Sequence, residues 1–294
     1  MKIYKEIRYL FEALIVKIGI WIFGTLPYKT ASNLAAKIAI FIGHKISVNH
    51  LASDNISNAL PDYNKSQREK IVHEMWDNLG RIIGEYPHIA KMNDCEFKKI
   101  ISFSDDFKKN IINLKKSQKG GIIVSGHIGN WEVGPKALIS QGLKVSVVYR
   151  PLNNPHVEKI TAKMRGISLI EKSGSGSRKI IEAIKKGEYV VILADQKISE
   201  GSLVKFFHDE ALTATSIARI ALKYDIDVIP ARVIRLEDRH HFMIDMSKPL
   251  QQNEKNFKKD LAVINFTARI NQIVESWISE FPSQWFWVHD RWKK

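Results

Sequence analysis

From Gly120 onward, short apolar runs alternate with helical patterns, and this alternation limits the fold more than any other feature. The apolar runs have the length of buried strands. They are GIIVSG (121–126), VSVVY (145–149), YVVILA (189–194), VIPARVI (228–234) and HFMIDM (241–246). Helices are predicted over 131–141, 178–186, 213–224 and 257–281. Strands that alternate with helices favour an α/β fold, with a central, mostly parallel sheet flanked by helices.

The first 50 residues are more apolar than the rest. Residues 8–27 are mostly apolar, but Glu12 and Lys17 interrupt a run that would need about 20 apolar residues to span a bilayer. Residues 31–46 form a shorter amphipathic segment. The two segments predict a helical hairpin that lies in the membrane interface or spans it marginally; two ordinary helices on a soluble core are the alternative. We therefore divide the chain into a membrane-associated helical region, 1–50, and one domain, 51–294.

A further helix is predicted over residues 66–90, where apolar residues recur mostly at spacings of three and four. Ser66 and Glu69 have the spacing of a capping box, which would start the helix. Pro87 is expected to mark its end.

Charge and cysteine content narrow the function only slightly. Lysine and arginine (45 residues) outnumber aspartate and glutamate (31 residues), which gives a net charge of +14. This charge favours anionic partners such as phospholipid headgroups, nucleic acid or acidic proteins, but it does not distinguish among them. Cys95 is the single cysteine, so an intramolecular disulfide and a cysteine-based zinc site are excluded. No metal or cofactor is predicted.

The motif SGHIGNWE (125–132) contains the best candidates for chemistry. It lies where a predicted buried strand gives way to a helix, which is the usual place for a site in an open α/β sheet. If His127 is in the loop and Glu132 is in the first helical turn, the carboxylate can orient the imidazole, which can then take a proton from a hydroxyl. A loop histidine and a first-turn carboxylate without a catalytic role remain the alternative.

Several stretches, taken in order, resemble the bacterial lipid A late acyltransferases, which carry an HX4D/E motif. The stretches are NLGRIIGEY (78–86), SGHIGNWE (125–132), VYRPLNNP (148–155), ILADQ (192–196), TATSIARIAL (213–222), VIPARVIR (228–235) and PSQWFWVHDRWK (282–293). With the apolar N-terminus they cover nearly the whole chain. A lone H-x4-E is a weak signal, whereas this ordered set is specific.

The resemblance implies an O-acyltransferase with a glycerolipid acyltransferase-like fold. It would move a fatty acyl chain from acyl carrier protein to a hydroxyl of a phosphorylated glycolipid, a lipid A precursor, at the cytoplasmic face of the inner membrane. His127 would be the general base and Glu132 its partner. Arg150, Arg165 and Asp195 are expected to bind substrate. Membrane lipids are expected partners and nucleic acid is not.

Two other functions remain open at this point. The same chemistry could act on a lysophospholipid or another glycolipid. More remotely, the net charge and the tryptophan-rich tail could belong to a non-enzymatic basic protein that binds membranes or nucleic acid. For the tail, QWFWVHDRWKK, packing against the domain is the preferred interpretation, with Arg291, Lys293 and Lys294 facing water. KSGSGSR (172–178) lacks the ending of a P-loop, so nucleotide binding is not predicted.

Overall fold

The computed structural model describes residues 2–117, 119–253 and 258–292, and a seven-stranded sheet lies at its centre. The described residues form nine strands, which are β1 (Ile101–Phe103), β2 (Gly121–Ser125), β3 (Val145–Tyr149), β4 (Ser168–Glu171), β5 (Tyr189–Leu193), β6 (Ser202–Phe206), β7 (Asp209–Thr213), β8 (Val228–Arg235) and β9 (Phe242–Met246). Of these, β6 and β7 form a separate antiparallel pair. The seven-stranded sheet has the order β1-β9-β8-β2-β5-β3-β4, and within it only β8 and β9 pair in antiparallel fashion. The predicted mostly parallel sheet is confirmed.

Helices cover both faces of this sheet, and further helices at the N-terminus pack mainly against one another. They are α1 (Lys2–Thr25), α2 (Tyr28–Gly43), α3 (Val48–Ala59), α4 (Lys65–Lys91), α5 (Asp94–Ile100), α6 (Asp105–Ser117), α7 (Val133–Ser140), α8 (Pro155–Arg165), α9 (Gly176–Lys185), α10 (Ser216–Tyr224) and α11 (Lys259–Glu280). A short 3₁₀ helix follows at Pro282–Gln284. The helix predicted from residue 257 begins at Lys259, and Phe257 itself lies outside the described residues.

Successive residues of β2 reach opposite cores, as the pleat of a strand requires. Ile123 packs into the cluster formed with α5, α6 and α7. Ile122 and Val124 pack into the cluster formed with α9, α10 and α11. All three side chains are buried, which explains why this run is continuously apolar rather than alternating.

The N-terminal hairpin packs closely against α4. A Cβ atom on Gly80 would lie 2.5 Å from the carbonyl oxygen of Ala35, and one on Gly84 would lie 2.5 Å from that of Ala31. Small residues on both helices therefore allow their backbones to approach one another. The opposite side of α1 is different, because Ile7, Phe11 and other large apolar side chains there are exposed. Among the described helices, none is both long and apolar enough to cross a membrane.

The predicted range of α4, 66–90, agrees with the observed helix within one residue at each end, but the predicted capping box and the predicted role of Pro87 were wrong. Asn64 caps the helix, and it forms a capping box with Gln67, so Ser66 lies inside the first turn. Pro87 does not end the helix, which continues to Lys91. A proline inside a helix removes one backbone hydrogen bond. Here Glu85 and Ile89 are buried on either side of it, so tertiary packing holds the helix through the proline.

The elements missed by the sequence analysis are mostly short or partly exposed. β1 and β4 have three and four residues and form the two edges of the sheet. In the antiparallel hairpin of β6 and β7, polar residues interrupt the apolar ones, so neither strand is a continuous apolar run. α3, α5, α6 and α8 were not predicted either. An edge strand buries less apolar surface than a central one, so it leaves a weaker pattern in the sequence.

Candidate active site

His127 and Asp195 meet because their strands are neighbours in exact register. Ser125 of β2 pairs with Leu193 of β5, and each candidate residue lies two positions beyond its strand. The imidazole Nδ1 lies 2.8 Å from Oδ1 of Asp195. The backbone N–H of His127 donates to Oδ2 of the same carboxylate, also at 2.8 Å. One carboxylate therefore holds both the ring and the backbone of His127.

Asp195 is buried and ionised. Burial acts to raise the pKa of Asp195, but the charge of His127 and the hydrogen bonds that it donates keep that pKa well below its usual range. The indole Nε1–H of Trp285 also donates to Oδ2, at 2.8 Å. An ionised carboxylate only accepts hydrogen bonds, so we assign the proton of the neutral imidazole to Nδ1, and Nε2 is then the acceptor. The side chain of His127 is 17% exposed and lines a cavity.

Glu132 has a different partner from the expected one. Its two oxygens accept hydrogen bonds from Arg165, at 2.7 Å from Nη2 and 3.0 Å from Nε. Burial alone would lower the pKa of Arg165, but the hydrogen bonds and charge of Glu132 hold it above the ordinary value. Glu132 is the N-cap residue of α7, and Arg165 ends α8. The site thus contains two pairs, His127 with Asp195 and Glu132 with Arg165, in place of the expected direct bond between His127 and Glu132.

A cavity of about 460 Å³ connects these groups. His127, Glu132, Arg150 and Arg165 line it, whereas Asp195 lies behind the imidazole. Four of the five predicted site residues therefore share one cavity, and the fifth holds the histidine. Much of the remaining wall is aliphatic. These aliphatic residues are Val147, Val148, Leu152, Ile167, Ile180, Val191, Ile192, Leu193, Ile198 and Ile217.

A buried ion pair supports the loop that carries His127. Glu85 of α4 is fully buried and accepts hydrogen bonds from Arg235 at 2.6 and 3.0 Å. The side-chain amide of Asn130 donates to Glu85 at 2.8 Å. Asn130 in turn accepts from the backbone N–H of Glu132 at 3.2 Å. The position of the loop that contains His127 therefore depends on α4 and β8 as well as on β2.

Gly129 is the point where the same loop turns sharply. Its φ is +59°, and an added Cβ would lie 2.2 Å from the carbonyl oxygen of Val233. Both the backbone conformation and the lack of space require glycine. The amide of Asn78 donates to the Gly129 carbonyl at 2.9 Å, so α4 also contacts the loop here.

The C-terminal tryptophan-rich segment packs against the domain, as preferred from the sequence. Trp285 and Trp287 are buried, and the backbone N–H of Phe286 donates to the His127 carbonyl at 3.1 Å. Arg291 does not face water: it is fully buried, its guanidinium lies 4.4 Å from the ring centroid of Phe206, and burial lowers its pKa to about 10. Lys293 and Lys294 lie outside the described residues.

The sequence analysis missed Glu85, Arg235 and Trp285 as members of the site. Each belongs to a stretch that carried the family resemblance, so a signal was present for all three. The hydrogen bonds from Arg235 and Trp285 to their carboxylates span 150 and 90 residues, and no local pattern identifies such partners. Within the described ranges, no group of three or more His, Cys, Asp or Glu side chains is placed to hold a metal ion.

A histidine held by a buried carboxylate, beside a largely aliphatic cavity at the carboxyl edge of a parallel sheet, fits an enzyme that activates a hydroxyl for reaction with an apolar substrate. Comparison with known proteins makes this class specific. The family model for bacterial lipid A biosynthesis acyltransferases matches residues 1–294, so the chain belongs to that family. It is an acyltransferase of lipid A biosynthesis.

Several relatives align with most of this chain. The lipid A biosynthesis palmitoleoyltransferase of Escherichia coli is 24% identical, over 93% of this chain and 88% of its own length. The lipid A biosynthesis lauroyltransferase of the same organism is 24% identical, over 93% and 89%. A lipid A biosynthesis acyltransferase of Haemophilus influenzae is 22% identical, over 92% and 86%. The match to the family model, over residues 1–294, extends over the N-terminal helices as well as the sheet.

Proposed function

We propose that this acyltransferase moves a fatty acyl chain from acyl carrier protein to a hydroxyl of a phosphorylated lipid A precursor, with His127 as the general base. One observation carries the choice of base. Nδ1 of His127 lies 2.8 Å from the carboxylate of Asp195, which supports an Nδ1–H tautomer with Nε2 as the proton acceptor at the cavity wall.

The proposed reaction is a direct transfer. The acceptor hydroxyl attacks the carbonyl carbon of the acyl thioester while Nε2 of His127 takes the hydroxyl proton. A C–O bond forms, the C–S bond breaks, and the imidazolium returns the proton to the departing thiolate. Ionised Asp195 stabilises the imidazolium that exists between these steps. The substrate brings its own nucleophile, so no serine or cysteine of the protein is required.

Glu132 has a supporting role in this proposal. Its bidentate contact with Arg165 joins the first turn of α7 to the end of α8, on the cavity wall. Glu132 thus adds a negative charge to the cavity that contains the imidazole, and Arg165 fixes its orientation. Arg165 and Arg150 both line this cavity, which supports the proposal that they contact the substrate.

The aliphatic wall is proposed to hold the acyl chain. Val147 and Val191 come from β3 and β5, and Ile217 comes from α10, so the lining extends away from His127 across two layers of the fold. Each methylene of the acyl chain that is removed from water contributes about 0.8 kcal/mol to the binding free energy. The depth of this cavity therefore sets the preferred chain length.

Residues 1–50 are proposed to hold residues 51–294, the acyltransferase domain, at the cytoplasmic face of the inner membrane. α1 exposes Ile3, Ile7, Leu10, Phe11 and Leu14 along one helix. Such a helix can lie in the interface between headgroups and acyl chains. The net charge of +14 adds attraction to anionic lipids.

Product mass spectrometry tests the reaction. Purified protein is mixed with acyl carrier protein loaded with acyl chains of C12–C16, and with a tetra-acylated, Kdo-bearing lipid A precursor. We expect one added acyl mass, lost in a folded His127→Ala variant. Acylation of a lysophospholipid or another glycolipid in place of this precursor would refute the proposed acceptor, but it would agree with the proposed acyl transfer by His127. Normal turnover by His127→Ala would refute the proposed base.

A further inference from the structure

Two cations stand side by side at the edge of the catalytic cavity. β3 and β4 pair in parallel, with Tyr149 opposite Glu171, so Arg150 and Lys172 are the first residues beyond the paired ends. The backbone N–H of Lys172 donates to the carbonyl of Tyr149 at 2.8 Å, which keeps the two chains together at this point. Neighbouring strands are about 4.8 Å apart. Both residues line the cavity that contains His127.

Neither cation has an acidic partner within the described part of the chain. No ion pair joins Arg150 or Lys172 to a carboxylate, although Glu132, on the same cavity wall, is paired with Arg165. Both side chains are exposed at the rim of the cavity. The pKa of Lys172 is nevertheless lowered, by partial loss of its contact with water and then by the positive charge of Arg150. Like charges on adjacent strands destabilise a protein, so an anion between them would relieve an unfavourable contact.

The loop that follows Lys172 offers further hydrogen-bond donors. The hydroxyl-bearing residues Ser173 and Ser177 line the same cavity. α9 has ten residues and starts at Gly176, and its N-cap Ser175 makes no side-chain capping bond. The first turn of a helix of this length favours an anion through its amides and dipole. Arg150, Lys172 and the N-terminus of α9 therefore line the same cavity, and all three favour an anion.

We infer that Arg150 and Lys172 together form a phosphate-binding subsite at the edge of the catalytic cavity. A phosphate dianion suits two cations, because the guanidinium can donate two parallel hydrogen bonds and the ammonium adds a point charge. The inference rests on the proposed function, which offers two sources of this group. One is the phosphopantetheine arm of the acyl donor, and the other is a sugar phosphate of the lipid acceptor.

Direct titration tests the subsite without turnover. The full-length protein is titrated, with NMR detection, with 4′-phosphopantetheine and with glucosamine 1-phosphate. Pantetheine and glucosamine are the matched ligands without phosphate. We expect at least one phosphorylated compound to bind more tightly than its partner compound. Arg150→Gln and Lys172→Met should each weaken that binding by roughly tenfold, since each removes a charge-assisted contact.

Lys179→Met is the matched control, because Lys179 is an exposed lysine of α9 that does not line the cavity. It should leave phosphate binding unchanged, and thermal unfolding should show that all three variants are folded. The preferred compound identifies the source of the phosphate. Equal binding of each phosphorylated compound and its partner would overturn the subsite, and so would an equal loss of affinity in Lys179→Met. Intact phosphate binding without any acyl transfer would refute the proposed reaction alone.

Discussion

Asp195 has a specific task at the scale of single residues. It accepts three hydrogen bonds, two from His127 and one from Trp285, although its carboxylate is buried. These donors offset the cost of burying a charge. The carboxylate in turn determines which imidazole nitrogen carries the proton. The site therefore depends on Asp195 as a negative charge and not only as a hydrogen-bond acceptor.

The first prediction concerns Asp195→Asn. The amide keeps the size of the side chain but removes the charge, and its NH2 group can stabilise the wrong imidazole tautomer. We expect kcat to fall on the order of 10³–10⁴-fold, as in other His–Asp pairs, with the protein still folded. Steady-state kinetics measure the effect. Asp54→Asn, at an exposed position of α3, is the control. A loss of less than tenfold in Asp195→Asn would remove Asp195 from the proposed mechanism.

A second prediction separates hydrogen bonding from packing at the two buried tryptophans. Trp285→Phe removes the donor to Asp195, whereas Trp287→Phe removes a donor to the backbone carbonyl of Pro282. A hydrogen bond to a charged group is stronger than a neutral one, so we expect about a tenfold lower kcat for Trp285→Phe. Trp287→Phe should change kcat far less than Trp285→Phe does, although we expect the two variants to lose a similar amount of stability. Equal kcat values in the two variants would contradict the proposed role of Trp285.

At the scale of elements, α4 links the N-terminal hairpin to the active site. One of its faces packs on α2 through Gly80 and Gly84, and its buried polar residues contact the loop that contains His127 and strand β8. This helix contains the stretch 78–86 that carried part of the family resemblance. Its residues therefore have two structural tasks, which are close packing against α2 and support of the loop that contains His127.

The contact between α2 and α4 leads to a prediction about glycine. In Gly84→Ala the new methyl group would lie 2.5 Å from the Ala31 carbonyl oxygen and 2.7 Å from the Ala35 Cβ, so the helices must separate. We expect a loss of about 1–3 kcal/mol in the free energy of unfolding. Gly19→Ala is the control, because nothing lies within 4 Å of its new Cβ. It should stabilise α1 by about 0.5–1 kcal/mol. Chemical denaturation measures both changes. A change of the same sign in the free energy of unfolding of Gly84→Ala and Gly19→Ala would refute the close packing of α2 on α4.

The ion pair between α4 and β8 gives the next prediction. Glu85→Ala leaves Arg235 buried without its carboxylate, and Asn130 loses an acceptor. Removing one partner of a buried pair costs about 3–5 kcal/mol of unfolding free energy. Glu69→Ala breaks an exposed pair with Lys65 on the same helix and should have little effect. Similar denaturation midpoints for the two variants would contradict the structural importance of Glu85.

At the scale of the whole molecule, buried titratable groups make the stability depend on pH. Burial lowers the pKa of both His240 and His289. The pKa values of Asp77 and Asp195 are also lowered: burial opposes this, but the arginines beside Asp77 and His127 beside Asp195 outweigh it. For all four groups the unfolded chain binds more protons than the folded one as the pH falls. Stability must therefore decrease toward acid.

The final prediction follows from this sign. The free energy of unfolding should decrease first as the pH falls below about 6.5, where histidines of the unfolded chain become protonated, and again below about 4, where its aspartates do. Glu275, whose pKa is raised by burial, acts in the opposite direction. Urea denaturation from about pH 3 to pH 8 measures the profile across both ranges. In His289→Gln the free energy of unfolding should change less between about pH 5 and pH 7 than in the unchanged protein. A free energy of unfolding that rises toward acid would contradict the lowered pKa values of these histidines and aspartates.

The sequence by itself determined much of this protein. Local patterns gave the α/β class, the central strands and most long helices, because apolar periodicity reflects which faces become buried. The ordered stretches from 78 to 293 indicated the family, and SGHIGNWE placed the candidate base at the end of a strand. These features depend on neighbouring residues along the chain, so they could be read before the fold was seen.

Only the tertiary structure decided which side chains meet. β2 lies beside β5 and not beside β3, which follows it in the chain, and this order brings Asp195 to His127 across 68 residues. Glu132, five residues from His127, turns to Arg165 because α8 ends next to the start of α7. The order of parallel strands depends on long-range packing between helices and sheet. No local pattern encodes that packing.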